Sequence, residues 1–303
     1  MAPAGTVLVA VGGVYQVELA EGGVIEAVLR GRLKRDAKAD GRVVAGDDVT
    51  LALQEGTWTI ESVEPRRSQL NRRAPGPGRP RPKAIAANID RIILVFAAAR
   101  PEPNPRTIDR LLVLAESNEI EALIVINKVD LADAATVAAL LAPYRAAGYR
   151  TLSTSVVQQH GIDELRTLLC AGRSALTGPS GVGKSTLLNA IQPGLGLRMG
   201  AISESVGKGR HTTVAAQLIP LACGGYVADT PGLREVGLWD VDRENLDAYF
   251  PEFREHIGTC RYARSCSHTH EPGCAVLDAV AAGTLSPARY ESYRLLYEEQ
   301  GEA

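Results

Sequence analysis

The run Gly178-Pro-Ser-Gly-Val-Gly-Lys-Ser185 constrains the fold of this chain more than any other feature. It matches G-x-x-x-x-G-K-[ST] and stands between an apolar run ending at Thr177 and a helical pattern through Leu187 and Leu188. Such a loop works only between a strand and a helix, because its glycines let backbone N–H groups converge on phosphate while the helix N-terminus adds a favourable dipole. Lys184 is expected to reach the β- and γ-phosphates and the Ser185 hydroxyl to ligate Mg²⁺. Gly178, Pro179, Ser180, Gly181, Val182, Gly183 and Thr186 complete the expected cradle.

The loop specifies a nucleoside triphosphate without specifying its base. Asn127-Lys128-Val-Asp130 follows the apolar run Ala122 to Ile126 and matches the guanine-reading N-K-x-D pattern. Asp130 is suited to accept from guanine N1–H and the exocyclic amino group, which adenine lacks, and a site left with an unpaired buried carboxylate rejects the wrong base. Ser153-Thr154-Ser155 ends the next apolar run and can back the base. Asp229-Thr-Pro-Gly232 matches D-x-x-G, with Asp229 expected to hold Mg²⁺ through water and Gly232 to meet the γ-phosphate. Gly207-Lys-Gly-Arg-His-Thr-Thr213 reads as a first switch loop, in which one of Thr212 and Thr213 reaches Mg²⁺ and the γ-phosphate. GTP or GDP with Mg²⁺ is the expected ligand.

The order of these motifs is unusual. N-K-x-D at 127 precedes the phosphate loop at 178 and D-x-x-G at 229, a circular permutation of the Ras-like order. A parallel sheet tolerates it, since each strand keeps its neighbours whichever loop is cut. The permutation leaves the chain after the second switch free to carry the C-terminal segment. Leu233 follows Gly232 where Ras-like chains place a water-orienting glutamine, so another polar group must do that work. His211 in the first switch is the nearest candidate in sequence.

The flanking text completes the architecture. Five β-type runs lie between Thr6 and Val63, as in a small OB barrel or an SH3-like one. Between Arg66 and Lys83 stand seven basic residues and no acidic ones among prolines 75, 77, 80 and 82. That density predicts an extended linker without ladder pairing, serving as a solvated hinge or as a contact for phosphates. From Ile89 to Asp229, strands alternate with helices in a mainly parallel α/β pattern. After Trp239 the pattern is helical around Cys260-x₅-Cys266-x-His268-x₅-Cys274, a set suited to one structural Zn²⁺, with His270 an alternative to His268. Cys170 and Cys223 stand alone in apolar surroundings. No apolar run approaches the roughly 20 residues a membrane helix needs. The first basic residue is Arg30, so the charged start of a secretory signal is missing and a cytoplasmic protein is expected.

On these motifs the chain resembles the ribosome small-subunit-dependent GTPases, the RsgA or YjeQ family. The match runs from the barrel through the permuted N-K-x-D, P-loop, G-R-H-T-T and D-T-P-G elements to the C…C-x-H…E-P-G-C cluster. The resemblance implies an OB domain over residues 1–71, a basic proline-rich linker over 72–84, a permuted GTPase domain over 85–240 and a mainly helical zinc domain over 241–303. It implies a role late in small-subunit maturation, with GTP hydrolysis stimulated by the subunit and its rRNA and coupled to release of assembly factors or of the enzyme itself; a monomer is expected. His211 matches the family's proposed catalytic histidine. The five residues between Cys260 and Cys266 are one more than the family's usual four.

Overall fold

The computed structural model describes residues 2–31, 33, 42–73, 82–196, 216–229, 241 and 243–301. They form two compact units, residues 1–92, 162–177 and 184–236 in the first, residues 93–161, 178–183 and 237–303 in the second.

In the first unit, strands β1 (Ala4–Val11), β2 (Val14–Leu19), β3 (Val24–Leu29), β4 (Asp48–Gln54) and β5 (Thr57–Val63) close in the order β1-β2-β3-β5-β4 and back to β1. All pairs are antiparallel except β3 with β5. This is the closure of an OB barrel, which settles the choice that strand count leaves open. Alternation puts Val7, Tyr15, Val17, Ala27, Val49, Leu51 and Ile60 inside.

The basic segment departs from expectation. Strands β6 (Gln69–Arg73) and β7 (Pro82–Ala87) form an antiparallel ladder. Prolines 75, 77 and 80 all fall between the two strands, and Pro82 takes the first position of β7, where a missing N–H is tolerated. Proline density therefore does not prevent pairing over Gln69–Arg73 and Pro82–Ala87.

Beyond the barrel, β11 (Arg173–Thr177) runs parallel to β13 (Tyr226–Asp229), and β12 (Gln217–Pro220) pairs antiparallel with β13. β1 meets β12 at Val9 and Gln217, so barrel and sheet are continuous here. Cys170 and Cys223 do not stand alone: they form a disulfide, Cα to Cα 5.6 Å, across 53 residues of sequence. The helix Ile162–Cys170 ends where the β12–β13 turn passes. Gly225 allows that approach, since a Cβ there would lie 2.3 Å from the Leu169 carbonyl oxygen.

In the second unit, β8 (Arg91–Ala97, whose first two residues belong to the first unit), β9 (Glu121–Asn127) and β10 (Arg150–Ser153) lie in that order, with β9 and β10 parallel. Near-continuous burial along β8 and β9 marks strands covered on both faces. The helices Pro105–Ser117 and Ala134–Ala146 start at side-chain caps, Asn104 accepting from the Arg106 N–H and Asp133 from the Thr136 N–H. The C-terminal region holds short 3₁₀ turns and the helices Ala275–Ala281 and Pro287–Gly301 around Leu246, Phe250, Phe253, Val276, Tyr293 and Leu296. Arg289 joins it to the α/β part of its unit. The buried guanidinium donates to Asp109 at 2.5 Å and to Glu252 at 2.7 Å and lies over the Phe250 ring. Burial opposes its charge, and the two carboxylates more than offset that, so it holds its proton more tightly than an ordinary arginine.

Candidate nucleotide site and metal centre

Parallel strands deliver their carboxyl ends to one edge of a sheet, where ligands of open α/β folds bind. β9 ends at Asn127, which is buried. Its amide donates to the Val182 carbonyl at 2.9 Å, and its Oδ1 accepts from the Thr154 hydroxyl at 3.1 Å. Lys128 turns the chain with φ of 58°. Its Nζ donates to the Gly181 carbonyl and to the Arg100 carbonyl, both at 2.6 Å. Asp130 Oδ1 accepts from the Ser155 hydroxyl at 2.5 Å, and that hydroxyl accepts from the Gln158 N–H at 3.1 Å. The other oxygen, Oδ2, takes no hydrogen bond from the described residues. Backbone bonds from Val129 N–H to Thr154 and from Thr154 N–H to Ile126 lock the two loops together. The motif residues 127, 128, 130, 154 and 155 thus meet at one corner, with Ser153 closing β10 beside them.

The same unit holds the arc Gly178–Gly183. Gly178 has φ of 138°, and a Cβ on it would lie 2.0 Å from the Val95 carbonyl oxygen; a Cβ on Gly183 would lie 2.5 Å from the Asn127 amide nitrogen. Only glycine lets the arc press this closely on β8 and the base-reading loop. The chain then enters the helix Lys184–Ile191 with Ser185 and Thr186 in its first turn, and Val182 is buried beneath the arc. Asp229 is a buried carboxylate at the end of β13. His211, Thr212, Thr213 and Gly232 lie outside the described residues.

The cysteine motif is also brought together. Ligand atoms of Cys260, Cys266, His268 and Cys274 all lie within 4.8 Å of one another, and all four residues are buried. Cys260 and Cys274 sulfurs are 3.9 Å apart, and His268 Nδ1 is 3.4 and 3.3 Å from them. Such spacings suit a tetrahedral ion with Zn–S near 2.3 Å and Zn–N near 2.0 Å. The far nitrogen, Nε2, lies 3.4 Å from Asp247, the outer-shell carboxylate that fixes a ligating imidazole. His270 is exposed and pairs with Thr269, so His268 is the imidazole that joins the cluster. Burial pushes the Cys266 thiol up to about 12, a strain that a bound cation relieves by holding the thiolate. Around the ligands, Glu271 accepts from the Ser267 hydroxyl and from the N–H groups of Ser267, Thr269 and His270.

Sequence reasoning missed three residues. Asp247 lacks a motif, the Arg100 carbonyl is invisible in a side-chain pattern, and Arg289 sits in an ordinary helical stretch. Only a basic residue at a position flanked by apolar ones hinted at the last.

A phosphate loop preceded in the chain by its base-reading loop, with an OB barrel ahead of both, defines a circularly permuted P-loop GTPase. The family model described as RsgA GTPase matches residues 63–239, and the chain belongs to that family. It is 50% identical over 298 residues to the small ribosomal subunit biogenesis GTPase RsgA of Gemmatimonas aurantiaca, covering 97% of this chain and 96% of that one. The protein of the same name from Moorella thermoacetica is 47% identical over 95% of this chain and 94% of its own length. Among solved structures it is similar to YjeQ from Thermotoga maritima, with a TM-score of 0.81 and 35% identity over 99% of this chain and 98% of that one. YloQ, a circularly permuted GTPase, matches with a TM-score of 0.76 and 29% identity over 100% of this chain and 96% of that one. Among the described residues no helix is long and apolar enough to cross a membrane.

Proposed function

We propose that this chain binds the small ribosomal subunit late in its maturation, in the cytoplasm and as a monomer, and hydrolyses GTP in response to that contact. The observation that carries the nucleotide half is Lys128, whose one ammonium group ties the base-reading loop to Gly181 of the phosphate arc. The base and phosphate subsites are thereby held in one frame. In this reading Asp130 accepts from guanine, Thr154 and Ser155 brace the loop, and residues 178–186 cradle the phosphates. Ser185, Asp229 and Thr213 serve Mg²⁺, which supplies charge neutralisation at the β- and γ-oxygens when bound. The partner half rests on the names of the relatives, small ribosomal subunit biogenesis GTPases that align along nearly the whole chain.

The barrel and the basic segment supply phosphate-binding surface for rRNA. One Zn²⁺ held by Cys260, Cys266, His268 and Cys274 fixes the C-terminal domain. Leu233 cannot orient water, so His211 takes that role when the subunit is bound. GTP turnover with and without purified small subunits tests this reading. Stimulation is expected to be large, and His211→Ala should lose about 10²-fold or more of the stimulated rate while GTP affinity and subunit binding persist. Full stimulation in that variant assigns the water to another group. Absence of stimulation in the wild type overturns the proposed partner.

A further inference from the structure

The strand that feeds the phosphate loop begins at Arg173, and that residue is tied to the barrel by four hydrogen bonds. One guanidinium nitrogen donates to the Gly46 carbonyl at 2.8 Å and to Asp48 Oδ2 at 3.2 Å. The other donates to Asp48 Oδ1 at 2.5 Å and to the Thr6 hydroxyl at 3.0 Å. Thr6 opens the β1–β4 pairing opposite Asp48, so both partners belong to the seam that closes the barrel. The guanidinium also lies over the Tyr226 ring, 5.6 Å from its centroid, and the Tyr226 hydroxyl donates to Glu18 of β2. Arg173 therefore holds the first residues of β11 and β13, whose far ends are Thr177 and Asp229, against one side of the barrel.

The main chain of Arg173 joins a second path. Its N–H donates to Asp90 Oδ2 at 2.7 Å, and Asp90 Oδ1 accepts from Arg67 at 2.8 Å. Gly172 makes room for that carboxylate, since a Cβ there would lie 2.5 Å from Asp90 Oδ2. The Arg67 side chain is 62% exposed, whereas that of Arg173 is 11% exposed. Arg67 is thus placed to exchange Asp90 for a phosphate oxygen, and Arg173 is not. A largely covered, multiply bonded guanidinium is a rigid link, and an exposed ion pair beside it is an exchangeable one. Together they give β11 one fixed link and one exchangeable link, the kind of element through which distant sites couple.

We propose that Arg173 is a positioning residue through which RNA phosphate held by the barrel and by Arg67 is sensed at the phosphate loop. The proposal rests on the subunit-stimulated turnover put forward above. RNA would withdraw Arg67 from Asp90, leaving the Asp90 carboxylate to Arg173 alone and shifting β11, while the Asp48 bonds keep β11 moving with the barrel. Arg173 opens β11, at the end away from the phosphate arc that follows Thr177.

The experiment is GTP turnover by full-length Arg173→Gln, with and without purified small subunits, beside co-sedimentation with the subunit and GDP affinity. Stimulation is expected to fall by about 5- to 150-fold, the usual span of coupling energies, with unstimulated turnover, GDP affinity and subunit binding near wild type. Asp48→Asn should give the same loss, and the double variant no further loss, because the two act as one link. Arg173→Lys should restore part of it. If Arg173→Gln melts before it can be assayed, Asp90→Asn, which leaves the barrel seam intact, carries the test. Full stimulation in a folded Arg173→Gln or Asp90→Asn variant overturns the proposal. A wild type without stimulation overturns instead the reading it rests on.

Discussion

The base-reading corner and the cysteine corner belong to the same unit and solve opposite problems. At the first, every group that must hold still is held by the protein itself: Asn127 by Val182 and Thr154, Lys128 by Gly181 and Arg100, Asp130 by Ser155. At the second, three thiols and an imidazole converge on one point, braced by the Ala275 N–H on Cys260 and by Asp247 behind His268, and burial drives the Cys266 thiol away from the charged form. One site is organised before its ligand arrives. The other presents a donor set suited to a cation.

Removing the metal should break the contrast most visibly. Structural zinc contributes on the order of 10 kcal/mol to folding a small region. Chelation is expected to unfold the C-terminal helices while GDP binding survives, read by limited proteolysis and by nucleotide titration of the same sample. Metal analysis should find one equivalent of zinc per chain, and less than a tenth of one in protein never exposed to chelator would contradict the assignment.

The next effect is at the base. Asp130→Asn replaces an acceptor with a group that can donate, so GTP should weaken by about 10³-fold or more and xanthosine triphosphate should gain. Unchanged base preference in a competition assay would remove Asp130 from recognition. Ser155→Ala tests whether the corner is organised in advance. It leaves Asp130 charged and merely unbraced, and GTP affinity should drop about 10-fold with xanthosine triphosphate still excluded. A loss as large as that of Asp130→Asn would mean the hydroxyl does more than brace.

The smallest expected effect sharpens the metal side. Burial works against the charge of Glu271, yet the Ser267 hydroxyl and the N–H groups around it hold the carboxyl down at about 2, against an ordinary 4.5. A depressed carboxylate contributes stability that is full above its unfolded value and lost as pH falls through its folded one. Glu271→Gln should cost about 1 kcal/mol at pH 7, allowing for solvent screening. The gap to wild type should close between pH 4.5 and 2. Thermal melts at pH 7 and pH 3 measure both, and a gap that does not change with pH would show that the loop needs the side chain's shape and not its charge.

These expectations draw on very different amounts of sequence. The phosphate arc, the N-K-x-D loop and the Cys₃His cluster that could hold a metal were all legible as short motifs, because each needs particular atoms at fixed backbone spacing. So were the five barrel strands, through period-two patterning. The choice between OB and SH3-like closure was not, since it lies in which strands pair, and β3 meeting β5 in parallel joins residues 31 apart in sequence, as Ala27 with Trp58. The basic segment misled for a related reason: prolines forbid ladder bonds where they stand, and where they stand relative to Gln69–Arg73 and Pro82–Ala87 becomes clear only once those strands meet.

On its own, then, the sequence specified local motifs: a phosphate-loop pattern, an N-K-x-D loop, a Cys₃His set that could hold a metal and the permuted order that places them. Those are local properties, written in consecutive residues. Tertiary structure alone decided which distant groups share a bond. It joined Cys170 to Cys223, set Asp247 behind His268, buried Arg289 between Asp109 and Glu252, and tied Arg173 to Thr6 and Asp48. None of these pairs has a spacing rule, because a side-chain contact depends on where two chain segments cross, and that is fixed by the packing of the whole unit.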